Sequence, residues 1–408
     1  MLPTKFRTGV SAARKIALAA VAVQLASLGL GGVSAVAEMG PTTPEISAVI
    51  PPHVEAPSQS RRPVAPTYSI QVGLDNEIFP VFANHASLQP QDQRTWGTVA
   101  VTIHNSSEGP IANRITVQVP GWSDQEIQMT ELAAGETHTM LFAPTFLPRL
   151  FQNREIAAAT VMVRVHDMGG RLVFEQSVPV RLRAADDMYW GQGFKFAPFI
   201  ASWITPHDPL VETVLSRAKE FAPSRRMPGY EDWKDQTEQE RETAIQARAI
   251  YRAMQVSGIS YVKSSLTFGR NLDVSERIRL PHDSLRESSA NCIDGVVAFA
   301  SVFENLGMDT AVVLVPGHAY VGVRVARGSD HYLYIDTALT GRANFDAALA
   351  AAQRGLERTN SAKILTIRVD DARRAGILPM PMPAELAPAS AYSSTETGRP
   401  VASHTRAQ

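Results

Sequence analysis

Apolar and polar residues alternate along the first long segment of the chain, from about residue 68 to residue 182. This period of two is typical of strands that bury one face. The alternation is clearest in five segments, namely residues 97–105, 113–122, 137–146, 158–167 and 171–183. Turn residues separate some of them, as at Ala134-Gly135 and Gly169-Gly170. About seven short strands at this spacing predict an antiparallel β-sandwich of immunoglobulin type over residues 68–185.

The hydrophobic period changes to that of helices at about Ala197. Asp208 followed by Pro209 is typical of an N-cap and the first residue of a helix. Further elements are predicted in this order: helices at 239–256 and 292–306, strands at 311–315, 318–325 and 332–339, a helix at 345–356 and a strand at 363–369. The mixture predicts an α+β domain over residues 197–381.

The short segment WGQGF, residues 190–194, lies between the two predicted domains. It is too short and too isolated for a nucleotide-binding loop, so a hinge is its expected role. Both predicted domains are long enough to have a core of their own. A chain that begins near Gly193 is therefore expected to fold alone.

The N-terminus has the pattern of a signal peptide over residues 1–37. Basic residues precede a long apolar run, and small residues at Ala35-Val36-Ala37 offer a cleavage site near Ala37. The alternative is an uncleaved membrane anchor, because the run is long enough to span a bilayer. Residues 38–67 are predicted to be a Pro-rich linker and residues 382–408 a disordered tail. The expected location is the periplasm or the exterior, with no membrane association after cleavage.

Charge and cysteine content narrow the classes of function and of fold. The 39 basic residues nearly balance the 40 acidic ones, so no net field favours binding to nucleic acid. A single cysteine cannot form an internal disulfide, and the fold must therefore depend on burial. The oligomeric state is left open by these properties.

The one cysteine, Cys292, falls in the first turn of the predicted helix 292–306. There the free backbone N–H groups and the helix dipole favour a thiolate, which is the nucleophilic form. The alternative is a small buried apolar residue, which is how most free cysteines behave. Asp294, two residues later, is expected to bond the free N–H groups and to have a structural role.

Two later residues make a catalytic role for the thiol the better hypothesis. His318 begins a strand after the Pro316-Gly317 turn, and Asp336 lies on the next strand. A hairpin that folds near Gly328 would keep even-numbered residues on one face, and therefore His318 together with Asp336. If the Cys292 helix packs on that face, a nucleophile, a base and the group that orients the base come together.

The segments SANCIDGVVAFASVFENLGM, VLVPGHAYVGVRV and YLYIDTAL resemble the three motifs of the transglutaminase-like superfamily, in its bacterial cysteine-protease-like branch. The matching residues are Cys292 and Asp294, then His318, Ala319 and Tyr320, then Asp336. The resemblance covers about residues 197–381 and implies a papain/transglutaminase-like fold with the catalytic residues Cys292, His318 and Asp336. It implies no cofactor and no metal.

The resulting prediction is an exported thiol enzyme that cleaves or transfers an amide acyl group through an acyl-enzyme. Its partner would be a protein or peptide substrate, such as one of the cell envelope, and hydrolysis is favoured over transamidation. Tyr261 and the backbone N–H of Cys292 are the candidate oxyanion donors. The alternative is a catalytically idle binding or assembly module of the envelope that uses its β-sandwich domain.

Three His-Asp pairs could instead suggest the metal site of a phosphohydrolase, at His166-Asp167, His207-Asp208 and His282-Asp283. The first is expected to end a strand, and the other two follow prolines at predicted turns or caps. Metal binding would need several such residues to converge from helices. A metal site is therefore not predicted.

Overall fold

The structure is a computed structural model that describes residues 65–381, except residues 95, 232, 234 and 264–274. The predicted signal peptide, nearly all of the predicted Pro-rich linker and the predicted tail lie outside the described residues. The described chain has mixed α/β content and contains several separate sheets. No helix in this part of the chain has both the length and the apolarity needed to cross a bilayer.

The first half of the described chain is mostly strands. Its elements are β1 (Thr67–Val72), α1 (Gly73–Asn76), β2 (Glu77–Ile78), α2 (Pro80–Leu88), β3 (Val99–His104), β4 (Ile111–Gln118), β5 (Glu126–Leu132), β6 (Thr137–Phe142), α3 (Pro148–Phe151), β7 (Ala157–Asp167) and β8 (Leu172–Leu182). The five segments predicted from alternation coincide with β3, β4, β6, β7 and β8. Strands β1 and β5 were not among the five.

These strands form two sheets, in the orders β1-β3-β6 and β2-β8-β7-β4-β5. All neighbouring strands are antiparallel except the short β2, which runs parallel to β8. Both sheets contribute to one hydrophobic core. Alternating apolar residues of the segments 97–105 and 113–122 are buried in it: Val99, Val101, Ile103, Ile115, Val117 and Val119.

The second half combines helices with three further sheets. Its elements are β9 (Asp187–Tyr189), α4 (Pro209–Ala218), α5 (Gln236–Val256), β10 (Ser260–Tyr261), β11 (Ser275–Arg277), α6 (Pro281–Arg286), β12 (Ser289–Ala290), α7 (Cys292–Asn305), β13 (Thr310–Val315), β14 (His318–Arg324), β15 (Tyr332–Ile335), α8 (Phe345–Arg358), β16 (Leu365–Arg368) and α9 (Val369–Arg374). The predicted helices are present as α4, α5, α7 and α8. Asp208 caps α4 as expected, because its side chain accepts a hydrogen bond from the backbone N–H of Leu210.

Strands β14 and β15 pair antiparallel in the predicted register. Val321 lies opposite Ile335, so the pairing is centred on Gly328 and even-numbered residues share a face. The predicted third strand is too long, however. Strand β15 ends at Ile335, and Asp336 caps a turn of 3-10 helix over Thr337–Leu339.

Helix α7 packs on one face of the four-stranded sheet β15-β14-β13-β16. Val297 of α7 shares a core with the odd-numbered Val321 of β14. The even-numbered Tyr320 lies in a separate cluster with Ala352 of α8. The prediction that α7 covers the face of His318 is therefore wrong, because both faces of β14 are apolar and α8 covers the even-numbered one.

The junction between the two halves is closely packed. Phe79 and Phe82, at the start of α2, lie in the core of the helical half with Trp190 and Phe196. The rings of Phe82 and Phe196 are 4.9 Å apart between centroids. Trp190 is only 6 % exposed, so the segment 190–194, the expected hinge, begins at a residue that is packed into this junction.

Ion pairs reinforce this junction. Arg154, which precedes β7, donates to Asp283 in α6 at 2.6 Å. Arg277 of β11 donates to both oxygens of Asp186, at 2.9 and 3.0 Å. Since Asp283 is 4 % exposed and Asp186 8 % exposed, both carboxylates need these partners.

We expect that a chain beginning at Gly193 does not form a stable fold, contrary to the prediction from sequence. It lacks Phe79, Phe82 and Trp190, and removal of one buried Phe or Trp side chain costs about 3–5 kcal/mol. The sum is comparable with the total stability of a domain, about 5–15 kcal/mol. Thermal unfolding followed by circular dichroism would test this, with a chain beginning at Ala65 as the control. Equal cooperative transitions in the two chains would contradict it.

Candidate active site

The N-terminus of α7 is fixed by a capping box. The Asn291 side chain accepts a hydrogen bond from the Asp294 backbone N–H at 2.8 Å, and the Asp294 carboxylate accepts one from the Asn291 N–H at 3.1 Å. Cys292 is therefore the first residue inside the helix, as the sequence predicted. The first N–H groups of a helix have no acceptor within the helix, so the thiol lies beside exposed backbone donors.

Asp294 has the structural role expected of it. Its second carboxylate oxygen accepts a hydrogen bond from the Arg279 backbone N–H at 2.9 Å. The side chain is fully buried, and burial raises the pKa of the carboxyl group, while the bonds from Asn291 and Arg279 oppose this increase. Asp294 thus ties the start of α7 to the segment before α6.

His318 and Asp336 are in direct contact. Nε2 of His318 lies 3.0 Å from Oδ1 of Asp336. The same Oδ1 accepts a hydrogen bond from the Ala338 backbone N–H at 3.2 Å, which fixes the orientation of the carboxylate. The side chains are 26 % and 14 % exposed, so the pair is accessible to solvent only on one side.

The thiol of Cys292 completes the group. The pKa of His318 is raised to about 9 by hydrogen bonds to Asp336 and, second, to Cys292, while burial opposes the increase. Because Nε2 is bonded to Asp336, Nδ1 is the ring nitrogen that remains for the thiol. The structure therefore brings together all three residues that the sequence predicted as catalytic.

The raised pKa of His318 links the site to the stability of the fold. The protonated ring has partners in the folded state that it lacks in the unfolded chain. The stabilisation is complete below pH 6.5, the ordinary pKa, and is lost as the pH rises through about 9. The imidazolium form thus persists through neutral pH.

Close packing between α7 and the turn after β15 holds Asp336 near the thiol. Thr337 Oγ1 donates a hydrogen bond to the Cys292 carbonyl at 3.3 Å. A Cβ atom on Gly295 would lie only 2.7 Å from this Oγ1, so the approach needs glycine at that position. Sequence reasoning missed both residues, since neither the spacing nor the hydrophobic pattern distinguishes them.

Tyr320 supports the histidine ring. The two rings meet edge to face, with their centroids 4.8 Å apart. Tyr320 in turn packs against α8, where a Cβ atom on Gly355 would lie 2.0 Å from the phenol oxygen. The aromatic residue of the second motif therefore limits rotation of the His318 ring.

Of the candidate oxyanion donors, Tyr261 lies in β10, which pairs parallel with β12 so that Tyr261 is opposite Ala290. This places it beside the segment that leads into Cys292. Its side chain is 49 % exposed. The backbone N–H of Cys292 occupies the first position of α7, where helix N–H groups have no acceptor within the helix.

The aspartates of the three His-Asp pairs have other partners. Asp208 caps α4, and its carboxylate lies 3.3 Å from Nδ1 of His282. Asp283 is paired with Arg154, and His166 lies near the end of β7. Within the described residues, no group of three or more His, Cys, Asp or Glu side chains could hold a metal ion.

Comparison with known proteins adds no family to these observations. No protein-family model matches the chain, and a search of curated proteins gives no significant match.

We expect Asp294→Asn to lower the free energy of unfolding by about 1–3 kcal/mol, the usual cost of an unsatisfied buried donor. The two carboxylate oxygens accept from different backbone N–H groups, and an amide would turn its NH₂ group towards one of them. Urea denaturation would measure the change. The matched control is Asp346→Asn, an exposed residue in the first turn of α8, and an equal loss in both variants would contradict the capping role.

Proposed function

We propose that the chain is a thiol enzyme that cleaves an amide bond of a protein or peptide through Cys292, His318 and Asp336. The observation that carries the proposal is the His318 imidazole, whose Nε2 lies 3.0 Å from the Asp336 carboxylate and whose pKa is raised by Asp336 and, second, by the nearby Cys292 thiol. Nucleophile, base and orienting carboxylate in line are the requirement for acyl transfer by a side chain. A cysteine peptidase or amidase of the transglutaminase-like superfamily is the class that fits best.

In the acylation step the Cys292 thiolate attacks the substrate carbonyl carbon. An S–C bond forms, and the carbonyl electron pair moves to the oxygen. The His318 imidazolium then gives a proton to the amide nitrogen, the C–N bond breaks, and an amine leaves. The enzyme is left as a thioester, while Asp336 holds the ring in position throughout.

The negative oxygen of the tetrahedral intermediate needs donors that are already in place. The Cys292 backbone N–H lies at the positive end of α7 and can serve as one donor. Tyr261 can contribute a second through its phenol group, since β10 runs beside the segment that leads into Cys292.

In the second step His318 takes a proton from water, and the resulting hydroxide attacks the thioester. The S–C bond breaks, a carboxylic acid leaves, and the thiolate–imidazolium pair is restored. The partial exposure of the His318 side chain supports water as the acceptor. Transfer to an amine would need a site from which water is excluded.

The proposal extends to fold type and location. The two sheets with a shared core support an immunoglobulin-like sandwich, and α7 packed on an antiparallel sheet supports a papain/transglutaminase-like second domain. The proposed location is the periplasm or the exterior, on the pattern of residues 1–37. A protein or peptide substrate of the cell envelope agrees with that location.

We expect Cys292→Ser to abolish acyl-enzyme formation and to leave the fold intact, because a hydroxyl is similar in size but far harder to ionise. Activity is screened first on envelope proteins and peptidoglycan peptides, and mass spectrometry of the whole protein then detects the thioester. Turnover by the variant at the wild-type rate would show that the nucleophile is wrong.

The same activity screen, together with alkylation of Cys292, tests the alternative that the chain is a catalytically idle binding or assembly module of the envelope. A thiolate reacts with iodoacetamide well below pH 8.5, the ordinary thiol pKa. If Cys292 alkylates only as fast as a free thiol and no substrate is found, the chain is better described as a binding or assembly module that acts through its sandwich. The alkylation rate can be assigned to Cys292 because the chain has no second cysteine.

We expect Asp336→Asn to keep the fold and to reduce the alkylation rate of Cys292 at neutral pH about tenfold or more. The Ala338 N–H would still orient the amide oxygen of the new Asn side chain towards Nε2 of His318. The substitution therefore removes the negative charge and largely keeps the geometry. The largest cause of the raised His318 pKa is removed. The alkaline limit of activity, expected near pH 9 in the wild type, should therefore move to lower pH.

The matched control for this prediction is Asp235→Asn. Asp235 also caps a helix, accepting from the Glu238 backbone N–H at 2.9 Å. Thermal unfolding is measured beside alkylation for both variants. Identical pH profiles for Asp336→Asn and the wild type would make Asp336 only a turn residue.

A further inference from the structure

A cavity of about 540 Å³ is lined by the residues that immediately precede His318 in the chain, Leu314 to Gly317. Its size lies within the range of about 300–1,000 Å³ that is usual for ligand sites. The wall includes Val315 and the Pro316-Gly317 turn, which lead without interruption into His318. Further lining residues are Phe194, Ile364 and Leu365.

One wall of the cavity is a strand neighbour of His318. Val315 is the direct partner of His318 across the β13–β14 pair. Directly opposite residues of an antiparallel pair point to the same face, with Cβ atoms about 4.5–5.5 Å apart. Val315 therefore places one wall of the cavity on the same face of the sheet as His318.

The lining is apolar and partly uncovered. Phe194 is 50 % exposed and Leu365 37 % exposed, so both offer apolar surface to the cavity that they line. Among the cavity's lining residues only Lys363 carries a charge. Burial of an apolar group is thus the interaction that this cavity offers.

Phe194 has an unfavourable backbone conformation. Its φ angle is 59°, and the neighbouring Gly193 has a φ of 65°. Positive φ is rare for a bulky residue and persists only where surrounding structure imposes it. Here the segment that follows is anchored by Phe196, which is buried in the aromatic cluster at the junction. The loop therefore presents the Phe194 ring to the cavity.

The position of the cavity indicates which part of a substrate it receives. Among the described residues that line it, none belongs to α7, the helix of the nucleophile. It lies on the side of His318, the group that delivers a proton to the leaving amine. The portion of the substrate after the scissile bond continues in that direction.

We propose that this cavity binds an apolar side chain on the amine side of the scissile bond, so that the substrates are peptides with a large aliphatic or aromatic residue just after that bond. The inference rests on the proposed function, because it uses the direction of proton transfer from His318. Phe194, Val315 and Leu365 are the specificity-determining residues.

The test uses alkylation of Cys292 in the full chain by two reagents with the same reacting carbon. These are N-(3-methylbutyl)chloroacetamide and N-methylchloroacetamide, each of which forms an S–C bond and releases chloride. The apolar reagent should react about tenfold or more faster, the gain expected from burying a leucine-sized group. The ratio of the two rate constants measures how much the cavity favours the apolar group. The absolute rate constant of N-methylchloroacetamide measures the reactivity of the Cys292 thiol.

Two variants should bring the ratio towards one: Leu365→Asp, which places a charge in the wall, and Phe194→Gly, which removes the ring and also relieves the positive φ. The matched control is Leu172→Asp, because Leu172 begins β8 as Leu365 begins β16 and is similarly exposed at 48 %. Its ratio should equal that of the wild type.

A wild-type ratio near one would overturn the cavity's role, whatever the rate of the methyl reagent. So would a ratio that keeps rising with N-octylchloroacetamide, because it would indicate a site for a lipid chain. Slow alkylation of Cys292 by N-methylchloroacetamide at neutral pH would separately contradict the proposed function as a thiol enzyme. The two proposals can therefore fail independently.

Discussion

The position of the thiol depends on the complete burial of helix α7. Every residue from Ile293 to Phe303 is buried, so no side of this stretch of the helix faces solvent. Rotation of the helix about its axis would disturb core contacts on every side. A helix surrounded by core on all sides is fixed in both rotation and height by its packing. Because Cys292 is the first residue of this helix, its position is fixed as well. The capping box of Asn291 and Asp294 defines where the helix starts. The Cys292 thiol is thus held by the core and not by a loop.

Much of this arrangement could be predicted from sequence because it depends on local periods. The midpoint at Gly328 was enough to set the register of β14 and β15, since a hairpin's register follows from its loop. The face that α7 covers could not be predicted, because Val321 and Tyr320 give β14 apolar residues on both sides. The end of β15 was misjudged for a related reason: Asp336 leaves the strand to cap a turn, and capping depends on local backbone geometry.

Long-range packing was the other limit. Nothing in the short pattern around Phe79 and Phe82 shows that these rings lie with Phe196 in the core of the other half. Such contacts join residues far apart in the chain, and their partners are decided by shape. The same holds for Arg154 and Asp283, whose pairing joins the two halves although each residue reads as an ordinary polar surface position in the sequence.

Gly295 shows how helix stability is exchanged for close packing beside Cys292 in this fold. Glycine inside a helix is less favourable than alanine by about 1 kcal/mol, yet the first full turn of the buried helix carries one. A methyl group there would separate Thr337 from the helix, and Asp336 would move away with it. Selection for thermal robustness alone would favour alanine at this position. Its presence as glycine indicates that the spacing between the two segments, and not the strength of the helix, is the quantity under constraint.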